Sequence, residues 1–294
     1  MSTQITTAFV QQFSSNVQLL SQQMGSLLRG SVSEEAVTGE KAFFDQVGQS
    51  AAVKRTTRHG DTPLVETPHS RRMVTMDTYE WADLIDDADK VRMLIDPTSA
   101  YARTAAAAMG RAMDDAIIEA ALGTAKTGKS GTTSTSFLSA NQIAGNSVDM
   151  TIEKLIQAKS LLDKQSVDPS IPRYICVSPR QIEALLNTTA VTSSDFNTVR
   201  ALVQGDIDTF MGFKFIVSNR LALNSSTNVR SCFAWAEDGI KLAVGKDVMA
   251  RIEERSDKSY ATQVYYCATF GATRMEEEKV VQIDCDEDET LSFS

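Results

Sequence analysis

The sequence predicts a mixed α+β protein, and three observations carry that reading. One long helical run lies near residues 97–122, further helical stripes cluster within 151–204, and short β-branched and aromatic runs dominate the last third. The chain has 294 residues, 42% of them hydrophobic, enough for one large domain or two modest ones with a real core. A net charge of −9 argues against a dedicated nucleic-acid binder, which normally shows a basic face in the totals.

The elements follow in chain order. Residues 1–40 read as an N-terminal arm, with a sparse apolar rhythm at Phe9, Phe13, Val17 and Leu20 that needs a packing partner to become a helix. Its first twenty residues lack a basic start and an unbroken apolar stretch, so neither an export signal nor a membrane anchor is expected. Residues 41–84 form a long excursion in which KAFFDQVGQSAAV and RRMVTMDTYEWADL are extended runs joined by KRTTRHGDTPLVETPHS. A two-stranded ribbon is marginal alone, so the excursion is expected to lie on another surface. Asp96 before Pro97 opens the long helix, Tyr101, Ala105, Ala108, Ala112, Ala116 and Ala120 mark its expected buried stripe, and Gly123 is its expected left-handed stop.

TIEKLIQAKSLLDKQ places Ile152, Leu155, Ile156 and Leu162 on one helical stripe. RYICVS reads as a buried strand, and Ser178-Pro179 with Gln181 as a capping-box start for PRQIEALLN. SSDFNTVRALVQG adds a capped helix ending at Gly205, while FKFIVS, VRSCFAWA, DVMARIEE, TQVYYCATFGATR and KVVQID supply strands.

GTAKTGKS, residues 123–130, matches the phosphate-loop pattern G-x-x-x-x-G-K-[ST] letter for letter. A working phosphate loop needs a buried strand before it and a helix directly after it, so that backbone N–H groups and the helix's positive end face the anion. Here a helix precedes the match, and GTTSTSFLSANQIAGNS follows it, a composition that reads as a mobile connector. A nucleotide-dependent enzyme using Lys129 and Ser130 therefore stands only as a secondary reading. His59 and His69 have no Cys or second His at ligand spacing, and no G-x-S-x-G elbow exists. The acidic groups Asp83, Asp86, Asp87, Asp89 and Asp284, Asp286, Glu287, Asp288, Glu289 lack the spacing of a calcium loop. Cys176, Cys232, Cys267 and Cys285 are far apart and read as buried thiols of a reducing compartment. No catalytic, cofactor or metal site is expected.

An arm, a long excursion, one long helix, a compact α/β unit and late strands, in that order, resemble the major capsid proteins of tailed bacteriophages with the Hong Kong 97-like fold. RYICVSPRQIEALLN resembles that family's strand-Ser-Pro-helix step, FMGFKFIVSNRL its strand after a Gly, and CFAWAEDGIKLAVGKDV its return run. The resemblance implies an arm at 1–40, an extended loop at 41–84, a peripheral domain at 85–145 with a spine helix at 97–122, an axial domain at 146–246 and peripheral return strands at 247–294. It implies an icosahedral head shell of hexamers and pentamers around double-stranded DNA, built in the host cytoplasm, with no enzymatic activity. No N-terminal coiled-coil segment is evident, so a separate scaffolding protein and a portal are implied partners, with non-specific contact to packaged DNA. A bacterial nanocompartment shell shares the fold and is the alternative. The founding member's cross-link chemistry is not carried over, because nothing identifies a partner for Lys54.

The excursion's tip has a charge of its own. Lys54, Arg55, Arg58, Arg71 and Arg72 oppose only Asp61 and Glu66, which makes residues 54–72 net +3 on a chain of −9. These five cations are the expected inter-subunit contacts, with acceptors near Asp83 to Asp89 or Glu276 to Glu278 of a neighbour.

Overall fold

The computed structural model describes residues 21–58, 60–86, 98–189 and 209–288. Fifteen strands and three α-helices are found among them, arranged around three sheets. Strands β1 (Ser33–Ala36), β13 (Ile240–Arg255), β14 (Ala261–Arg274) and β4 (Asp77–Ile85) form a four-stranded sheet in the order β1-β13-β14-β4. Against it lies α1 (Thr98–Leu122), about 37 Å long at 1.5 Å per residue.

The buried face of α1 is Ala105, Met109, Met113, Ile117 and Ala121, an i, i+4 series. Of the expected stripe only Ala105 is fully buried; Ala108, Ala112, Ala116 and Ala120 flank it. The physical reason is size, since turning Met and Ile inward removes more apolar surface from water than turning Ala inward. Gly123 does end the helix, donating its N–H to Glu119 O at 2.7 Å, but without a left-handed backbone.

The second sheet runs β7-β15-β12-β8-β10-β9, with β11 (Leu223–Asn224) on β12. Its core strands are β8 (Arg173–Val177), β10 (Phe213–Val217), β12 (Val229–Ala236) and β15 (Val280–Asp286), flanked by β7 (Gln142–Ile143) and β9 (Thr209–Phe210). β8 and β10 are parallel, and the connection between them contains α3 (Pro179–Thr189), as a parallel crossover requires. The capping box is present, with Gln181 Oε1 accepting from Ser178 N at 3.1 Å. α2 (Ile152–Lys164) starts at Thr151, whose hydroxyl accepts from Lys154 N. Leu155 and Leu162 are buried as expected, whereas Ile156 is 50% exposed. β15 ties the C-terminal segment into this sheet through β12, so the sheets divide the chain differently from the expected boundary at residue 246. The helix expected over SSDFNTVRALVQG and the apolar rhythm from Phe9 to Leu20 lie outside the described residues.

The third sheet, β2-β3-β5-β6, joins β2 (Lys41–Val47), β3 (His69–Thr75), β5 (Ala125–Thr127) and β6 (Thr133–Thr135). Two expectations change here. The run RRMVTMDTYEWADL is not one strand: it breaks at Met76, so its first half pairs with β2 and its second half with β14. The start of the stretch expected as a mobile connector is instead the second strand of a β-hairpin, β5-β6, whose first strand pairs with β3.

Most large apolar side chains share one core around Trp235, Phe233, Phe213, Ile117 and Leu28, and all four cysteines are buried free thiols. Leu28 belongs to the segment expected as an arm. Residues 28–36 are thus part of the folded body, held also by Trp235 Nε1 donating to Ser31 O at 2.9 Å and by β1 running parallel to β13.

Candidate assembly surfaces

The GTAKTGKS segment shows how its residues are used. Ala125–Thr127 pairs with Thr133–Thr135, and residues 128–131 make the turn, with Gly131 N donating to Gly128 O at 3.1 Å. Gly131 adopts φ +68° and sits against Met73 of β3, where a Cβ would meet the Met73 sulfur at 2.2 Å. Gly128 N donates to Arg71 O at 3.2 Å. No helix follows the match, and the Gly128 amide that would face a phosphate braces β3 instead, so the nucleotide-binding reading is not favoured.

The braced ribbon stands on a small apolar cluster of its own, formed by Ala42, Phe44, Val74 and Met76 with Ala243 and Met275. Its last cross-strand bond is Gly48 N to Pro68 O at 2.8 Å. Beyond it, residues 49–67 form no strand among the described residues, and Leu64 is 98% and Val53 59% exposed. Three of the five expected cations sit on this tip. Arg55 donates Nε to Thr57 O at 2.9 Å, and Lys54 and Arg58 have no carboxylate partner among the described residues. His59 lies outside the described residues.

The other two cations are engaged inside the chain. Arg71 grips Asp45 across the ribbon at 2.5 and 3.1 Å and covers Phe43, and this pairing holds the Asp45 carboxyl below the usual carboxylate range. Arg72 is buried, donates Nε to Met275 O at 2.7 Å and pairs with Glu277. Side-chain direction separates the two: alternate residues of a strand point to opposite faces, and Arg72 takes the inner one. Glu277 also lies 3.7 Å from buried Arg274, which caps the C-terminal end of α1 by donating to Ala121 O and Gly123 O at 2.8 Å each. Among the acceptors considered, Glu277 is therefore committed internally, and Glu276 pairs with Lys279 at 3.3 Å. Asp87 and Asp89 lie outside the described residues.

A residue that sequence reasoning missed fixes the arm. Asp114, buried on α1, accepts from Leu27 N and Leu28 N at 3.1 Å each and from Gln23 Nε2 and Ser26 Oγ at 2.5 Å each. Four donors offset the cost of burying the carboxylate. One turn away, Gly110 lets the arm cross in contact with the helix, for a Cβ there would lie 2.3 Å from the Gly25 carbonyl carbon. The available signal was a Gly and an Asp at i, i+4 within an otherwise apolar helix face.

A groove of about 240 Å³ opens where the β3–β4 corner meets the end of α1, with Asp77, Glu119 and one cation, Lys126, on its walls and Tyr79 inside. Burial, and after it the charges of Asp77, Glu119 and Asp115, push the Tyr79 phenol up. No group of His, Cys, Asp and Glu able to hold a metal ion occurs among the described residues.

A helix-backed sheet, a second sheet beside it, a docked arm and a projecting ribbon define the Hong Kong 97-like shell fold. The phage capsid protein family matches residues 5–287, and the chain belongs to that family. It is a structural protein of the virion. Solved structures agree in fold over nearly the full length. The capsid of cyanophage P-SCSP1u is 15% identical with a TM-score of 0.71, covering 97% of this chain and 95% of that one. The capsid of Ralstonia phage GP4 is 11% identical with a TM-score of 0.72, covering 97% of each chain. That of Helicobacter pylori bacteriophage KHP30 is 10% identical with a TM-score of 0.72, covering 97% and 98%. No curated protein matches the sequence.

Proposed function

We propose that this chain is the major capsid protein that assembles with copies of itself, as hexamers and pentamers, into the icosahedral head shell around the double-stranded DNA of a tailed phage. The observation that carries it is the ribbon tip: its described residues between 49 and 67 expose apolar and cationic side chains that no surface among the described residues covers. In this reading the seven-stranded sheet is the axial unit, the helix-backed sheet the peripheral one, and residues 41–76 the extended loop. The role is architectural, not enzymatic. A separate scaffolding protein and a portal complete the assembly in the host cytoplasm, and packaged DNA touches the shell without sequence preference.

The tip's inter-subunit contacts are Lys54, Arg55 and Arg58, and the groove bearing Asp77 and Glu119 is their matching acceptor on a neighbour. Arg71 and Arg72 act within the chain, holding the ribbon in shape. The test is K54E/R55E/R58E in the full chain, viewed by negative-stain microscopy across a salt series. Shells should fail to form while the subunit's circular dichroism is unchanged, and D77K/E119K should restore assembly. Normal particles from the triple variant at all salt concentrations would refute the assignment.

A further inference from the structure

Between α2, the turn at residues 168–173 and the β9–β10 hairpin lies a concavity of about 290 Å³, lined by Lys159, Asp163, Ser170, Arg173, Thr209 and Lys214 among others. Arg173 is buried and fixed: Nη1 pairs with Asp163 Oδ1 at 2.7 Å, Nη2 donates to Val167 O at 3.1 Å, and Nε has no partner. That pairing uses the one carboxylate in the lining. Asp168, just before, is turned onto Ser170 N at 2.8 Å.

Lys159 and Lys214 are the other two cations of the lining. Neither has a carboxylate partner among the described residues; Lys214 Nζ rests 5.6 Å from the Tyr174 ring centroid, and Lys159 Nζ reaches across to Gly212 of the β9–β10 turn, 3.9 Å from where a Cβ there would stand. Two open ammonium groups and a fixed guanidinium thus face one concavity on a body whose net charge is −9.

We propose that this concavity binds a phosphate group. The donors select an anion. A guanidinium fork reads carboxylate and phosphate alike, and the Arg173 fork is already held by Asp163 and Val167, so the ligand is met by ammonium charge instead. What is left is two point-charge ammonium groups and the Thr209 hydroxyl, a set suited to the several oxygens of a phosphate. The phosphate comes either from a nucleic-acid backbone or from free phosphate. Only the nucleic-acid source rests on the reading of the chain as a DNA-enclosing shell.

The experiment titrates the unassembled full chain with inorganic phosphate against chloride at matched ionic strength, and separately with a labelled short DNA duplex. Wild type should bind phosphate saturably. K159Q/K214Q should keep its circular dichroism, lose affinity about tenfold or more, and flatten the plot of log affinity for duplex against log salt by about 2. Phosphate that displaces the duplex, together with loss of binding to a duplex of uncharged methylphosphonate backbone, assigns the site to nucleic acid. Phosphate binding without duplex binding overturns that source and leaves a free-phosphate site. Binding that never saturates, that chloride reproduces, or that the double variant retains overturns the site. Tight binding of polyglutamate with none of phosphate does so as well, by pointing to an acidic protein partner.

Discussion

The molecule carries two long hairpins, and they end in opposite ways. β13 and β14 close through residues 256–260, where Lys258 N and Tyr260 N both donate to Arg255 O at 3.1 and 3.0 Å. Arg255 then grips Asp257 at 2.8 and 2.7 Å and Gln263 at 2.9 Å, so the turn satisfies its own polar groups. β2 and β3 stop pairing at Gly48 and Pro68 and continue into a tip without a ladder, with Leu64 in water and Lys54 and Arg58 open. The first hairpin is also flanked by β1 and β4, whereas the second is braced only near its base by β5 and β6. The first hairpin also exposes Ile252 and Tyr260, so what separates the two is the closed, hydrogen-bonded turn of one and the unpaired, cationic tip of the other, which is built for a surface elsewhere.

The contrast is sharpest between the base and the tip of the open ribbon. Arg72→Met should cost about 3–5 kcal/mol, because Glu277 is left buried beside Arg274 without its closest partner. Denaturant unfolding measures it, and a loss under 1 kcal/mol would mean that the ribbon base is held by its apolar cluster alone. Close behind comes Asp114→Ala, which removes the acceptor of four arm donors and should cost about 2–4 kcal/mol. Proteolysis of the arm in the variant should quicken, and an unchanged cleavage rate would show the arm to be held elsewhere.

Lys129→Ala should change stability by less than about 0.5 kcal/mol and leave assembly intact, since the side chain is exposed on the β5–β6 turn. Lost assembly would move the contact surface from the tip to the brace. The smallest effect belongs to the closed turn. Hydrogen bonding from Arg255 lowers the Asp257 carboxyl to about 2. A carboxyl lowered on folding adds stability above its unfolded value of about 3.9, and loses it as pH falls through about 2. Carboxyl titration by NMR should show this, and Arg255→Gln should return Asp257 to its ordinary range. An unmoved midpoint would show that the turn does not use this pair.

The family was legible in the order of parts, and the helices and strands in periodicity and caps: Ser178 with Gln181, the stripe of Leu155 and Leu162, and the apolar runs of β12, β14 and β15 lie where local chemistry puts them. Local rules work there because each depends on residues a few positions apart. They fail where the partner is remote. The break of RRMVTMDTYEWADL at Met76 depends on β14 offering a second edge, and the strand in GTTSTS forms on β5, which is itself held by β3. Arg71 and Arg72 are neighbours with the same charge in the sequence, yet one covers a surface phenylalanine and the other is buried against Glu277. The class of protein, the long helix and the positive excursion could be read from the chain alone, because composition and period are local properties. Which of the five cations remain open, which acids are already engaged, and that Asp114 holds the arm emerged with the fold, because those facts rest on contacts between residues 26 to 205 positions apart.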